Sequence, residues 1–171
     1  MLKKMNPIDF DRVYQILEQS FPVDERRPYE AQRALLAEPR YSILVKREGE
    51  AILGFFATWE LDGVLFLEHF AVDPAARNGG VGSQMLTELL THATKPVCLE
   101  VEPPADELTR RRVAFYERHG MVLNSYPYTQ PAMAEGQSPV PLLIMTSGEA
   151  VSKARFEELR LLLYRYVYHV L

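Results

Sequence analysis

The sequence predicts a mixed α/β domain with a mostly antiparallel central sheet of about six or seven strands and helices on both faces. Three observations carry that prediction. Short β-branched and aromatic runs alternate with stretches of helical spacing. Two turn signals, Arg47-Glu48-Gly49-Glu50 and Asp62-Gly63, join three successive strands into an antiparallel meander. A helix of crossover length then leads to a short buried strand, which implies a parallel, right-handed connection. With 171 residues and no long linker, a single domain spanning residues 1–171 is the simplest organisation.

Each element has its own signature. Asp9 to Gln19 reads as a helix, with Phe10, Val13, Tyr14 and Leu17 on one side and Asp9 near its start. A charged connector, Ser20 to Pro28, precedes a second short helix from Tyr29 to Ala37, stopped by Glu38-Pro39. Tyr41 to Lys46 and Ala51 to Trp59 form a hairpin, and Gly54 marks a bulge or the close approach of another segment. Val64 to Val72 is a strand interrupted only by Glu68 and His69 and closed by Asp73-Pro74. Gly80 to Ala93 is helical, with Val81, Met85 and Leu89 in register, and Val97 to Val101 is the strand after it. Leu108 to His119 is a helix capped by Gly120. Met121 to Thr129 and Val140 to Thr146 are strands around a surface loop, Gln130 to Pro139. The final helix, Glu149 to about His169, is apolar around much of its circumference. That breadth favours a homodimer formed through residues 149–171 over a tail wrapped on its own core.

Composition narrows the class. The chain is 47% hydrophobic and 25% charged, ordinary for a soluble protein. A net charge of -4 argues against an extended nucleic-acid surface. No apolar run suggests a signal peptide or a membrane span, and a single cysteine, Cys98, fits a reduced, cytoplasmic setting. His69, His92, His119 and His169 are scattered, so no metal site is expected, and no Gly-x-Ser-x-Gly elbow is present.

The most informative stretch follows the third strand: Arg77, Asn78, Gly79, Gly80, Val81, Gly82, then Ser83 and a helix. The first turn of a helix leaves backbone N–H groups unpaired and carries partial positive charge. Glycines let an anion approach, and Arg77 adds a cation. A pyrophosphate cradle is therefore expected. A P-loop is ruled out because Ser83-Gln84, not Lys-Ser/Thr, follows the last glycine. A dinucleotide fingerprint would use an acidic residue about 20 positions on, where Glu100 and Glu102 stand, but the glycine spacing does not match.

Here the chain resembles the GCN5-related N-acetyltransferases (GNAT), whose loop reads Arg/Gln-x-x-Gly-x-Gly/Ala after a strand ending in Val-Asp-Pro. Arg77 to Gly82 after Ala71-Val72-Asp73-Pro74 matches that pattern, and Phe115-Tyr116 to Gly120-Met121 is similar to the family's second signature. The similarity runs from about Tyr41 to Thr146. It implies an acyl-CoA N-acyltransferase-like fold, acetyl-CoA as cosubstrate, and direct acetyl transfer to a primary amine in a ternary complex. A small-molecule acceptor is favoured over a protein N-terminus or lysine, and both over a non-catalytic acyl-CoA-binding module.

The same resemblance assigns roles. A free backbone N–H at Ala71 or Val72 would meet the thioester carbonyl, Arg77 to Ser83 would hold the phosphates, and Tyr116 would serve as general acid. Thr109 and Arg112 stand where the family has Asn and Ala, and are expected beside the cofactor. The connector and second helix would form one wall of the acceptor pocket, making Phe21, Glu25, Arg26 and Tyr29 specificity candidates. Glu68 is the expected general base, because a carboxylate in an apolar strand tends to a raised pKa. Strand alternation places His69 on the opposite face from it.

Overall fold

The computed structural model describes residues 1–171. Its strands are β1 (Lys3–Lys4), β2 (Tyr41–Glu48), β3 (Ala51–Leu61), β4 (Val64–Val72), β5 (Val97–Val101), β6 (Met121–Gln130) and β7 (Val140–Ser147). Its α-helices are α1 (Phe10–Ser20), α2 (Tyr29–Ala34), α3 (Val81–His92), α4 (Glu107–Arg118) and α5 (Lys153–Leu162), the last continuing as a π-helical turn, Leu163–Val167. The seven strands form one sheet in the order β1-β2-β3-β4-β5-β7-β6, with β4–β5 its parallel pair. The predicted fold class holds, and β1 was too short to announce itself.

The sheet divides two apolar layers. Phe10, Trp59, Phe66, Ile144 and Phe156 belong to one, beneath α1 and α5. Phe56, Leu67, Met85, Leu86 and Val113 belong to the other, beneath α3 and α4. Phe56 and Phe66 are fully buried, and each such side chain stabilises the fold by about 1.5–3 kcal/mol. Gly54 is a point of close approach. A Cβ there would lie 2.8 Å from both Ala71 O and Met85 Sδ, so α3 can seat on the meander only over a glycine.

Two local features shape the centre of the sheet. The pairing of β3 with β4 shifts between Ala57 and Thr58, leaving Glu68 as an extra residue in β4. The bulge cancels one step of alternation. Glu68 reaches Arg27 and Trp59 while His69 reaches Glu25 and Phe21, so the two residues share a face instead of opposing each other.

The final segment also departs from expectation. Its helix begins at Lys153, and Phe156, Leu159, Leu163, Val167 and Tyr168 pack into the α1 layer. The apolar breadth that favoured self-association is covered by the chain's own sheet, and Leu161 is the large apolar side chain left exposed on α5.

Candidate active site

The site begins where the sheet opens. β4 and β5 pair over Leu65–Leu67 and Val97–Leu99, and beyond that the two strands run on without pairing. The Asp73 amide donates to Leu53 O at 2.8 Å, with Val72 opposite Gly54. The antiparallel ladder therefore turns the Ala71 amide toward β3 and leaves those of Phe70 and Val72 facing the gap. Of the two amides expected at the thioester carbonyl, that of Val72 faces the gap and that of Ala71 does not. A cavity of about 390 Å³ occupies the gap, lined by Phe21, Glu25, Phe70, Val72, Arg77, Glu100, Arg112 and Tyr116 among others.

The glycine loop closes one end. Asp73 accepts the Ala75 amide at 3.0 Å and pairs with Arg12, fixing the exit from β4. Asn78 (φ 66°) and Gly80 (φ 77°) then take left-handed conformations, which turn the chain sharply into α3. No side chain caps this helix, so the amides of Val81, Gly82 and Ser83 point out of its end without intrahelical acceptors. Gly82 lies against Val72 and Phe70, with atoms 3.4 and 3.5 Å from where its Cβ would be. Arg77 donates to Val72 O (3.2 Å) and Ser20 Oγ (3.3 Å) at the cavity edge. Free amides, a helix dipole and a guanidinium together fit an anionic group such as a phosphate.

The other end is acidic. Glu100 is half-buried with its carboxyl enclosed, and that burial pushes the carboxyl up to about 7. Tyr168 donates to its Oε1, while Oε2 has no partner. The Tyr128 hydroxyl is near enough to lower the Glu100 pKa but lies outside hydrogen-bond geometry. Glu25 is also raised, by burial and then by Glu102, and makes no ion pair. Arg112 pairs with Glu102 at 2.9 Å. Tyr116 lines the same cavity with its phenol pushed up to about 12 by burial, so its proton is held at neutral pH.

A family model for the acetyltransferase (GNAT) family matches residues 10–121. The chain belongs to the GNAT family. A protein of Bacteroides thetaiotaomicron assigned to that family superposes with a TM-score of 0.92 at 31% identity, over 100% of this chain and 99% of that one. The ribosomal-protein-S18-alanine N-acetyltransferase of Escherichia coli has a TM-score of 0.64 at 18% identity, covering 89% and 95%. A spermidine N-acetyltransferase of Vibrio cholerae has a TM-score of 0.64 at 12% identity, covering 86% and 94%. These last two share the fold. No curated protein matches the sequence significantly.

Several residues expected from the GNAT resemblance lie elsewhere. Glu68 has a lowered pKa. Burial alone would raise it, but Arg27 at 2.6 Å, then His69 and the Trp59 N–H at 2.9 Å, more than reverse that effect. It is a buried ion-pair member outside the cavity lining. Thr109 caps α4: its Oγ1 accepts the Ala105 and Asp106 amides at 3.0 Å and its amide donates to Asp106, leaving the side chain committed. Arg26 folds back to Phe21 O and Tyr14, and Tyr29 packs on Phe10 and Tyr14 with its hydroxyl on Asp11, so neither reaches the cavity. The Ser83 hydroxyl donates to His119 Nε2 at 2.8 Å, whose Nδ1–H donates to Phe115 O. Arg110 and Arg111 bond within their own helix region.

Glu100 is the residue that sequence reasoning passed over. Its signal was the one applied to Glu68, a lone carboxylate in an apolar strand, here Val97-Cys98-Leu99-Glu100-Val101. A larger cavity, about 700 Å³, lies by the far ends of β2 to β4 and α3. Its acidic groups are paired, Glu60 with Lys95 across the cavity and Glu88 with Lys46 beside it, and it holds no convergent unpaired group like Glu100.

Proposed function

We propose that this GNAT protein transfers the acetyl group of acetyl-CoA directly to a small primary amine, with Glu100 as general base and Tyr116 as general acid. The observation that carries the reading is Glu100: a buried carboxylate with a free oxygen and a pKa near neutrality, sharing a cavity with the Val72 amide and the Tyr116 hydroxyl. The amides of Val81 to Ser83 and Arg77 would receive the phosphates. The amine nitrogen attacks the thioester carbon, its displaced proton passes to Glu100, and the Val72 amide stabilises the developing oxyanion. As the C–S bond breaks, the thiolate takes a proton from Tyr116, so the products are the amide and free CoA.

A primary amine is mostly protonated at neutral pH, so the acceptor is drawn in as a cation and releases one proton to solvent before the neutral nitrogen attacks. Glu25 and the free side of Glu100 supply negative charge without an internal partner. A small acceptor is favoured because the loop between β6 and β7 is pinned over the connector. Gln137 Nε2 donates to Val23 O and Arg26 O, both at 2.7 Å, Gln130 Nε2 to Asp24 O at 3.1 Å, and the Ser138 amide to Asp24 Oδ1 at 3.2 Å. A peptide acceptor needs an open channel on this side. Relatives in fold named for spermidine and for a ribosomal protein leave both acceptor classes represented.

Calorimetry with acetyl-CoA on the wild type and on Gly82→Glu, with NAD as control, tests the cradle. Acetyl-CoA binding lost in the variant, followed by turnover on a panel of small amines, is the expected result. Binding without turnover on any amine or peptide would leave a non-catalytic acyl-CoA module. No binding at all would sink the proposal.

A further inference from the structure

Glu100 owes its orientation to a residue far away in sequence. Tyr168 is buried and follows a π-helical turn in which its amide donates to Leu163 O at 3.0 Å. The turn puts two consecutive residues, Val167 and Tyr168, on the buried side, and such turns recur at functional sites. The segment is tied down from the opposite side. Arg27 donates to Val167 O at 3.0 Å while its other terminal nitrogen holds Glu68 at 2.6 Å. The Arg27 carbonyl in turn accepts the Tyr14 hydroxyl at 2.9 Å. A chain of buried contacts thus runs from Glu68 through Arg27 and Val167 to Tyr168 and ends on Glu100 Oε1.

We infer that Tyr168 is a positioning residue for acetyl transfer, holding Glu100 by Oε1 so that the enclosed Oε2 is the one oxygen left without a partner to take the acceptor's proton. This rests on Glu100 being the base. A neutral phenol suits the task. An arginine in its place would hold the carboxylate equally well but remove its basicity, as Arg27 does for Glu68. The titratable and charged groups around Glu100 are Glu68 on β4 with its neighbours Arg27 and His69, Glu25 on the connector, Arg77 in the glycine loop, Cys98 on β5 and Glu102 just beyond it, Arg112 and Tyr116 on α4, Tyr128 on β6 and Tyr168 itself. Of these, Tyr168 makes the direct hydrogen bond to the carboxylate.

The test uses Tyr168→Phe and, separately, a fluorotyrosine introduced at position 168, which keeps the shape and strengthens the donor. Loss of a donor to the charged form raises the Glu100 pKa, and a stronger donor lowers it. The expected result is a kcat/KM about tenfold lower in Tyr168→Phe, with the acid limb of its pH profile moved up. In the fluorotyrosine protein the limb moves down, and acetyl-CoA binding is unchanged in both. A role confined to packing would lower Tm in the first variant and leave both limbs in place, and that outcome overturns the inference. The infrared band of the protonated Glu100 carboxyl, recognised by its absence from Glu100→Gln, reports the same titration without turnover. If no amine is acetylated but the band still shifts in opposite directions, the assigned reaction fails and the positioning contact stands. If the band does not shift, the contact fails whatever the reaction.

Discussion

Glu68 on β4 and Glu100 on β5 occupy neighbouring strands, face the same side of the sheet and both carry enclosed carboxyls, yet they end in opposite electrostatic states. Burial pushes both upward. At Glu68 a guanidinium, an indole N–H and a nearby imidazole reverse the push. At Glu100 the partner is a phenol, and the neighbouring carboxylates Glu68 and Glu25 add to the burial penalty. An apolar environment therefore does not make a general base by itself. What decides is whether the protein answers the buried charge with a cation or with a neutral donor, and in this sheet it does each once, on adjacent strands.

The largest expected effect separates the two carboxylates by activity. Glu100→Gln removes the base and lowers kcat by about 10²–10⁴-fold. Glu68→Gln, assayed below its melting temperature, keeps activity within about tenfold of wild type per folded molecule, because its role is to hold Arg27. Steady-state kinetics on both variants checks this, and the reverse ranking would restore Glu68 as base. Next in size is stability. Glu68→Gln strands Arg27 in the core, which costs about 3–5 kcal/mol in urea unfolding at neutral pH.

Glu100→Gln carries a stability effect of opposite sign. Because the folded pKa of about 7 lies above the ordinary 4.5, the folded state holds a proton that the unfolded state has released. The wild type thus loses stability as pH rises from about 4.5 through 7, by about 3 kcal/mol in total. Glu100→Gln escapes that loss. It is expected to unfold at higher urea than wild type at pH 8, with the difference closing toward pH 4.5. A difference that does not vary with pH would mean that Glu100 is ionised in the ordinary range.

These contrasts also explain what the sequence could reveal. Val64–Val72 was legible to the residue because Asp73-Pro74 ends it chemically, and Gly54 was legible as a bulge or a close approach, both of which occur there. The glycine loop announced itself through local geometry. The two carboxylates could not be told apart, since each sits in an apolar strand and their partners lie 41 residues away at Arg27 and 68 away at Tyr168. The bulge that brings His69 to the face of Glu68 arises from pairing with β3, and no periodicity in β4 alone records it. Thr109 was readable locally, as the third helical residue after Asp106, but the family pattern drew it toward the cofactor instead. The final helix showed an unusual breadth of apolar surface, and only the sheet shows that its own layer covers it.

The smallest predicted effect concerns a third carboxylate, which completes the comparison. Glu25 is half-buried, its backbone carbonyl held by His69 Nε2 at 2.9 Å, and it has no cationic partner. It is one of the charges that raise Glu100. Glu25→Gln should therefore move the acid limb of kcat/KM toward lower pH, the direction opposite to Tyr168→Phe. If Glu25 also attracts the acceptor, KM rises several-fold for acceptors bearing a second positive charge, and less for simple monoamines, with kcat near wild type. Raising the salt concentration should shrink the KM difference and leave the ranking of Glu100 and Glu68 untouched. A pH limb and a KM pattern both unchanged in Glu25→Gln would make Glu25 a solvated surface group, and the tuning of Glu100 would then belong to burial and its tyrosines alone.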